Sequence, residues 1–468
     1  MCSELPFIFG GNMEDTISAI ASALGVGAIG VIRLSGSSSL SIAQRLFRTT
    51  HPLSAKDPRR LTYGHIVDPD GQVVDEVLAV YMPGPHSYTG EDVCEIQCHG
   101  GREALEAILA LTFKAGARPA EPGEFTKRAF LNGRLDLAEA ESVMDIINAK
   151  SHSALLAANR GHQGALSRKV KDLRKRLRDL VVQLEAVIDY PEEDLEDVTY
   201  GQAEHILQES QSALMQLLQN GTAGRVLREG LRIAIVGRPN VGKSSLLNSL
   251  LQTDRAIVSN IPGTTRDIIE EQMTLGGIPL VLVDTAGLRE TEDTVEKIGV
   301  ERSKAALEEA QLALVVLDGS QVLSPEDKEL LTAVAQRPHL VLLNKADLPL
   351  QVTPEQLQQQ YGAGAVQVLS AKTGQGLEQV ATWLQDFVYG SGSDSETGSI
   401  TQNARQQHLL ETALQSVEEA LQGAIQRLPY DCLTIDLTQA LHDLGEITGE
   451  EVPDEIIDQI FAQFCVGK

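Results

Sequence analysis

One glycine-rich segment carries the clearest chemistry in the sequence. Gly237-Arg-Pro-Asn-Val-Gly-Lys-Ser-Ser245 follows an apolar run and precedes a helical pattern, which is the context of a phosphate-binding loop. Its glycines let backbone N–H groups approach phosphate oxygens, and the helix N-terminus adds a favourable dipole. Lys243 would contact the β- and γ-phosphates, and the Ser244 hydroxyl would ligate Mg²⁺. The segment predicts a nucleotide site without identifying the base.

Three further segments, in the expected order, point to guanine. Asp284-Thr-Ala-Gly287 ends an apolar run, so its carboxylate would lie behind the Mg²⁺ water shell and its last N–H near the γ-phosphate. Asn344-Lys-Ala-Asp347 ends another run, and its last carboxylate can accept hydrogen bonds from guanine N1–H and the exocyclic amine, a pair of donors that adenine lacks. Ser370-Ala-Lys372 can present a backbone N–H to guanine O6. We therefore expect GTP and GDP as ligands.

The region behind these motifs departs from the small signalling GTPases. Leu288 stands where those enzymes have a glutamine that orients the attacking water. Hydroxyl and amide oxygens instead collect in Val258–Arg266 and at Asn240. Such oxygens near the β- and γ-phosphates could hold a monovalent cation, whose charge would stabilise the transition state as an arginine finger does. The alternative for Asn240 is a turn residue bonded to its own loop.

The elements that must position these segments alternate strand and helix between residues 231 and 388, as in a mostly parallel sheet. Helical patterns on both sides favour a helical domain with an α/β domain inserted into it. A joint is expected at Asn220–Gly224, and a flexible linker at Gly390–Gly398. The predicted strands are Leu231–Gly237, Ile278–Asp284, Leu312–Asp318, Leu340–Asn344 and Val366–Ser370.

Composition and charge limit the partners. The 468 residues include 39 basic and 65 acidic side chains, a formal charge of −26, so contact with nucleic acid needs a local basic patch or a second protein. The Arg and Lys residues of Arg168–Arg178 form either that patch or a solvated helix face. Five scattered cysteines favour a reducing cytosol. The uncharged run Ile17–Ile32 is too short and glycine-broken to span a bilayer of about 30 Å, so we expect a cytoplasmic protein without membrane contact.

The nucleotide motifs and both chain ends together resemble the MnmE/TrmE family of tRNA-modification GTPases. The family's own signatures are matched at Ser87–Glu95, His99–Gly101, Pro122–Asn132 and Phe464–Lys468. The resemblance covers essentially the full length and implies a multidomain chain, α/β plus all-α. The implied domains are an N-terminal α+β tetrahydrofolate-binding and dimerisation domain (1–132), a discontinuous helical domain (133–228 and 389–468, ending in Cys-Val-Gly-Lys) and an inserted P-loop (Ras-like) GTPase domain (229–388).

The resemblance also implies ions and a water-orienting group. It assigns K⁺ to Asn240 and Thr264, with backbone oxygens of Ser259 and Ile261, and Mg²⁺ to Ser244 and Thr265. Glu296 matches the family's catalytic carboxylate, although by itself it would be interpreted as a helix-start glutamate. The positions expected at GTP, from motifs and resemblance together, are Asn240, Val241, Gly242, Lys243, Ser244, Ser245, Ser259, Asn260, Ile261, Pro262, Gly263, Thr264, Thr265, Asp284, Thr285, Ala286, Gly287, Asn344, Lys345, Ala346, Asp347, Ser370, Ala371 and Lys372.

The folate positions implied by the resemblance lie far apart in the sequence: Arg33, Glu95, Arg134 and Lys468. Cys465, three residues from the end, is either a catalytic thiol beside the folate or a small buried hydrophobe.

In function, the resemblance implies a K⁺-dependent GTPase activated by dimerisation. As a homodimer it would join the FAD-dependent MnmG/GidA protein in a heterotetrameric complex. The complex would add an aminomethyl or carboxymethylaminomethyl group to C5 of the wobble uridine (U34) of certain tRNAs. The carbon would come from 5,10-methylenetetrahydrofolate, for which the 5-formyl compound is an analogue, and glycine and ammonium are both open as second donor. The alternative is an Era/Der-like ribosome-assembly switch, which would need an RNA-reading domain.

Overall fold

The computed structural model describes residues 15–23, 25, 27–189, 196–253, 271–283, 307–361, 364–390 and 400–468. The chain divides into two compact units. Unit 1 comprises Met1–Met144, Ser167–Arg174 and Leu441–Lys468, and unit 2 comprises Asp145–Leu166 and Lys175–Ala440. The domain boundaries expected near 132, 228 and 388 stay predictions. Within the described ranges, no helix combines the length and the apolar character needed to cross a membrane.

Unit 1 is built on a seven-stranded sheet with the order β3-β4-β5-β6-β2-β1-β7. Its strands are β1 Ile17–Ile20, β2 Ile29–Ser35, β3 Phe47–Arg48, β4 Thr62–Val67, β5 Val73–Met82, β6 Val93–His99 and β7 Arg118–Pro119. The helices that begin in this unit are α1 Ser39–Leu46, α2 Arg102–Lys114, α3 Glu124–Leu131, α4 Leu137–Asn148 and, near the C-terminus, α14 Asp454–Phe461.

The sheet of unit 1 buries one face because its strands alternate in polarity. Ile32 and Leu34 of β2 are fully buried and join a core with α1 and α2. Gly30 lets α2 approach this strand, since a Cβ there would lie 2.6 Å from Leu105. The opposite face of the same strands keeps large apolar side chains exposed, among them Tyr63 and Leu78.

Unit 2 contains a six-stranded sheet with the order β13-β12-β11-β8-β10-β9, in which only β9 among the described strands is antiparallel to its neighbour. Its strands are β8 Leu231–Val236, β9 Glu271–Leu275, β10 Ile278–Leu282, β11 Leu312–Asp318, β12 His339–Asn344 and β13 Val366–Val368. Its helices are α5 His152–His162, α6 Ala165–Asp189 (of which residues 167–174 belong to unit 1), α7 Glu196–Glu229, α8 Lys243–Thr253, α9 Pro325–Val334, α10 Pro354–Tyr361, α11 Leu377–Tyr389, α12 Ala404–Ile425 and α13 Tyr430–Thr448 (whose residues from Leu441 belong to unit 1).

All five predicted strands of the inserted region are confirmed, with ends shifted by at most two residues. The antiparallel strand β9 was missed by the sequence analysis. It pairs with β10 through a tight turn at Gly276 and Gly277, both of which have positive φ. This hairpin adds an edge strand to an otherwise parallel sheet, an arrangement common in mixed sheets.

The predicted joint at Asn220–Gly224 is wrong, because α7 runs unbroken through these residues. Gly221 and Gly224 serve close packing instead of a break. A Cβ at Gly224 would lie 2.1 Å from the carbonyl oxygen of Ile400, and one at Gly221 would lie 1.9 Å from Gln402. The predicted linker at Gly390–Gly398 lies outside the described residues except for Gly390.

Candidate functional site

The phosphate-loop segment of unit 2 lies at the carboxyl edge of the parallel sheet. Strand β8 is central, between β10 and β11, and α8 begins at Lys243 directly after the loop. In open α/β sheets this edge is where ligands bind. Gly242 has φ +101°, and a Cβ there would lie 2.3 Å from the Asn344 amide nitrogen, so the loop requires glycine at this position.

The lysine of the loop is held by the loop itself. Lys243 Nζ donates to the carbonyl oxygens of Gly237 (2.7 Å) and Arg238 (2.9 Å). Burial lowers the pKa of Lys243. Ser244 and Ser245 are exposed at the first turn of α8, where a hydroxyl can reach a metal ion bound to phosphate. This placement fits the Mg²⁺ role expected for Ser244.

The predicted base-reading segments converge on the same edge of the sheet. Asn344 is buried and links its own segment to the phosphate loop and to the Ser370 segment, since its Nδ2 donates to the Val241 carbonyl (2.8 Å) and its Oδ1 accepts from the Ala371 N–H (2.9 Å). The Ser370 hydroxyl donates to Asp347 (2.7 Å) and thereby lowers the pKa of that exposed carboxyl. A carboxylate held in this way can accept both guanine donors.

Asn240 and Lys345 adopt left-handed conformations, with φ of 66° and 68°. Asn240 has an exposed side chain, so its amide oxygen is available to a cation. Lys345 Nζ donates to the Asn240 carbonyl at 3.0 Å, and the Ala346 N–H donates to the Leu369 carbonyl at 3.1 Å. The predicted nucleotide residues that the structure describes therefore form one connected set of loops.

Several expected site residues lie outside the described residues, and their assignments stay predictions. They are Ser259, Asn260, Ile261, Pro262, Gly263, Thr264, Thr265, Asp284, Thr285, Ala286, Gly287 and Glu296.

Unit 1 brings three of the four expected folate residues together. Arg33 and Glu95 are cross-strand partners of β2 and β6, and their side chains form an ion pair (Nε to Oε1, 2.8 Å). Arg33 Nη1 also donates to the carbonyl of Gly467 at 3.5 Å, beside Lys468. Burial lowers the pKa of Lys468, and the charge of Arg33 lowers it further. Two cations beside one carboxylate are suited to an anionic ligand.

The C-terminal tail is fixed against unit 1 by its backbone. The Gly123 and Phe125 N–H groups donate to the carbonyls of Cys465 (3.3 Å) and Lys468 (3.1 Å), and Val466 forms a bridge with Pro122. Only glycine fits at 467, where φ is +93° and a Cβ would lie 2.2 Å from a backbone oxygen. The thiol of Cys465 is exposed, which contradicts the buried-hydrophobe alternative.

Aromatic rings around this cluster were missed as contact residues, although both stand within the quoted signatures. Tyr88 lies 5.0 Å from the Arg33 guanidinium and 5.3 Å from that of Arg134. Phe125 lies 5.7 Å from the Arg33 guanidinium. Arg134, the fourth expected folate residue, thus reaches the cluster through Tyr88, to whose carbonyl it also donates. The rings restrict the guanidinium groups by cation–π contact.

A buried ion network, also missed, supports the same region. Arg128 is 3% exposed and contacts Asp15 (2.7 Å), Glu91 (3.1 Å) and Glu124 (3.0 Å). Arg118 contacts Asp15 and Glu124 as well, at 2.7 and 2.6 Å. The network joins Asp15, two residues before β1, to the start of α3, close to where the C-terminal tail binds.

The basic segment of α6 is not uniformly a solvated face. Arg174 is buried and forms ion pairs with Glu450 and Glu451. Lys171 remains exposed but pairs with Asp136 at 3.1 Å. Part of the charge expected to face solvent or tRNA is therefore neutralised within unit 1.

Two protein families and several individual proteins are similar to this chain. The family described as MnmE helical domain matches residues 137–465, and the one described as GTP-binding protein TrmE N-terminus matches residues 16–134. The tRNA modification GTPase MnmE of Alkaliphilus metalliredigens (strain QYMF) is 45% identical over 97% of this chain and 100% of its own length. The protein of that name from Latilactobacillus sakei subsp. sakei (strain 23K) is 47% identical over 97% of this chain and 98% of its own length.

Among solved structures, the G domain of the T. maritima FeoB iron transporter aligns with 34% of this chain and 98% of its own at 25% identity. Its TM-score of 0.24 is too low to support a structural argument.

Proposed function

This chain belongs to the MnmE family of tRNA modification GTPases, and from that premise we propose that it couples K⁺-dependent GTP hydrolysis to modification of the wobble uridine of tRNA. The observation that carries the GTPase part is the hydrogen-bonded connection between the phosphate loop and both base-reading loops through Asn344. The ribosome-assembly alternative has no support among the named relatives.

The ions of the proposed reaction fit the residues that the structure describes. Ser244 would hold Mg²⁺, and Asn240 would contribute to a K⁺ site. A cation at that position supplies positive charge near the transferred phosphoryl group. The chain itself contributes Lys243 at the phosphates and Asp347 at the base.

A comparison of turnover in K⁺ and Na⁺ tests the cation site. We expect GTP hydrolysis to be faster in K⁺, and the Asn240→Ala variant to lose this preference. Asn248→Ala, at an exposed position of α8, is the matched control and should keep it. Equal rates of the unaltered protein in both salts would contradict the proposal.

The folate part rests on the cluster of Arg33, Glu95 and Lys468, which we propose binds a tetrahydrofolate carrying a one-carbon unit. The arginine and lysine charges would bind the carboxylates of the folate tail. Calorimetry with 5-formyltetrahydrofolate tests this: Arg33→Ala should abolish binding. Arg102→Ala should not, because Arg102 lies on the surface and pairs with Glu106 of its own helix. Equal affinities of the two variants would contradict the site.

We propose that unit 1 pairs with a second copy of this chain through the open face of its sheet. Tyr63, Leu78, Gln97 and Val31 are consecutive cross-strand partners along one row of that face. Tyr63 and Leu78 are 55% and 39% exposed, so a second copy would remove apolar area from water. Leu78→Glu should produce monomers in analytical ultracentrifugation, whereas a dimer that persists would place the interface elsewhere.

The complete pathway is tested in cells. We propose that the protein acts in the cytoplasm, where its tRNA substrates are, together with the FAD-dependent MnmG/GidA partner. Mass spectrometry of tRNA nucleosides from a deletion strain should show wobble uridines without the aminomethyl-type group. Restoring the gene should restore the modification, and restoring the Asp347→Asn variant should not. Unchanged nucleosides in the deletion strain would contradict the proposal.

A further inference from the structure

The carboxylate of Asp318 lies beside the base-reading loop without being part of any nucleotide motif. Asp318 ends β11 and is the register partner of Asn344, which ends the neighbouring strand β12. The two strand ends are joined further, because the Gly319 N–H donates to the Asn344 carbonyl at 2.9 Å. The Asp318 side chain is 3% exposed, so its charge needs partners within the protein.

Both oxygens of this carboxylate are occupied. Oδ2 accepts from Lys345 Nζ at 2.7 Å, and Oδ1 accepts from the Ser320 N–H (3.0 Å) and hydroxyl (2.6 Å). Burial by itself would raise the pKa of Asp318, and the hydrogen bonds from Lys345 and Ser320 outweigh it and lower the pKa. The carboxylate therefore remains an anion opposite the lysine at neutral pH.

The same ammonium group reaches the phosphate loop. Lys345 Nζ donates to the carbonyl of Asn240 at 3.0 Å, and the next carbonyl, of Val241, accepts from Asn344 Nδ2 at 2.8 Å. Two successive loop carbonyls thus bind two successive side chains of the base-reading motif. Asn240 and Lys345 both have positive φ, a conformation that persists in residues with a Cβ only when the surroundings hold it.

We propose that Asp318 is a positioning residue for nucleotide binding. It fixes the Lys345 ammonium between the end of β11 and the phosphate loop, so that the lysine stem is held ready to cover the base and Asn240 keeps its left-handed conformation. This inference rests on the proposed guanine nucleotide site and adds one further group on which the affinity of that site depends.

A double-mutant cycle on GDP affinity tests the proposal. Calorimetry compares the full-length protein with Asp318→Asn, Lys345→Met and the double variant. Asp318→Asn should bind GDP roughly tenfold more weakly because it removes the charge-assisted contact with Lys345, and Lys345→Met should bind at least as weakly because it also removes the hydrogen bond to Asn240. The double variant should bind no more weakly than Lys345→Met alone. Lys345→Met keeps the apolar stem, so it isolates the contribution of the ammonium.

Two further measurements separate positioning from general damage. The ratio of GDP to inosine diphosphate affinity should stay unchanged in Asp318→Asn, because Asp347 still accepts the guanine donors. Glu309→Gln, which removes an exposed partner of Arg232 in the same unit, should leave GDP affinity unchanged. If Asp318→Asn does not fold, Ser320→Ala, which removes a hydroxyl donor to the same carboxylate, should weaken GDP binding in its place.

The outcomes are distinct. Unchanged GDP affinity in Asp318→Asn or in Lys345→Met overturns the inference, and so do fully additive effects in the double variant. A changed GDP to inosine diphosphate ratio in Asp318→Asn also overturns it, since that result assigns Asp318 to base reading. Failure of the unaltered protein to bind GDP contradicts the proposed function itself.

Discussion

Replacing Arg128 by methionine tests the buried ion network of unit 1. Arg128 is 3% exposed and contacts the carboxylates of Asp15, Glu91 and Glu124. Without the guanidinium, Glu91 and Glu124, whose side chains are 15% and 11% exposed, lose a counter-charge in a mostly buried place. Removing one partner of a buried ion pair costs about 3–5 kcal/mol. Because Arg118 still pairs with Asp15 and Glu124, we expect the lower end, about 3 kcal/mol, in the free energy of unfolding.

The loss should depend on pH in a defined direction. The hydrogen bond from Arg118, followed by that from Arg128, lowers the pKa of Asp15, although burial opposes it. Burial alone would raise the pKa of Glu124, but hydrogen bonds from the same two arginines and from a backbone N–H outweigh it and lower the pKa. A carboxyl whose folded pKa is depressed adds stability above its unfolded pKa, and this stability disappears as the pH falls through the folded value. The difference in the free energy of unfolding between the unaltered protein and Arg128→Met should therefore be constant near neutral pH. It should shrink below the ordinary pKa values of Asp and Glu, 3.8 and 4.5.

Hydrogen exchange followed by mass spectrometry measures the stability of unit 1 separately from that of the rest of the chain. A loss of about 3 kcal/mol corresponds to roughly a hundredfold faster exchange of the protected amides in α3 and β1. Lys127→Met is the matched control, since the neighbouring Lys127 is 32% exposed and pairs with the exposed Asp458; it should change stability by less than about 1 kcal/mol. Equal effects of both variants, or a loss for Arg128→Met that does not shrink in acid, would refute the reasoning.

Three further predictions concern single positions. Asp347→Asn should lose the preference for GDP over xanthosine diphosphate, because an amide nitrogen then faces the base; calorimetry that still shows a strong guanine preference would contradict this. Burial and a nearby arginine lower the pKa of Lys468 below 10.5. The affinity for 5-formyltetrahydrofolate should therefore fall as the pH rises toward that value, because the lysine loses its charge. If the affinity of Lys468→Met falls over the same pH range, another group causes the effect. In α7, Gly224→Ala should destabilise unit 2 by about 2 kcal/mol through overpacking, whereas Gly201→Ala, with nothing within 4 Å of the new Cβ, should stabilise it by about 0.5–1 kcal/mol. Urea unfolding followed by the fluorescence of the single tryptophan, Trp383, measures the free energy of unfolding of both variants. Stability changes of the same sign in the two variants would contradict the packing argument.

Local patterns in the sequence were sufficient to predict the parallel sheet, and they selected the motifs of the proposed nucleotide site. The predicted strands are short apolar runs that end in turn residues, and each motif is contiguous. Both can therefore be recognised from residues that are adjacent in the sequence. The same reasoning failed at Gly224, where glycine looked like a helix break. The carbonyl that excludes a Cβ there belongs to Ile400, which is distant in sequence and close only after folding.

The proposed folate cluster could be predicted only through a family resemblance. Arg33 and Gly467 are 434 positions apart, and no periodicity or spacing relates them. Tyr88 and Phe125 stood within the quoted signatures, yet only their distances to Arg33 identify them as contacts.

The sequence by itself predicted a phosphate loop and guanine-reading segments, because hydrophobic periodicity and motif spacing act over a few residues. The tertiary structure alone decided which distant charges meet. It buried Arg128 among three carboxylates, buried Arg174 against Glu450 and Glu451, and set Asp318 opposite Lys345. The physical reason is that an ion pair depends on distance and on exclusion of water, and local sequence patterns give neither for residues that come together only when the chain folds.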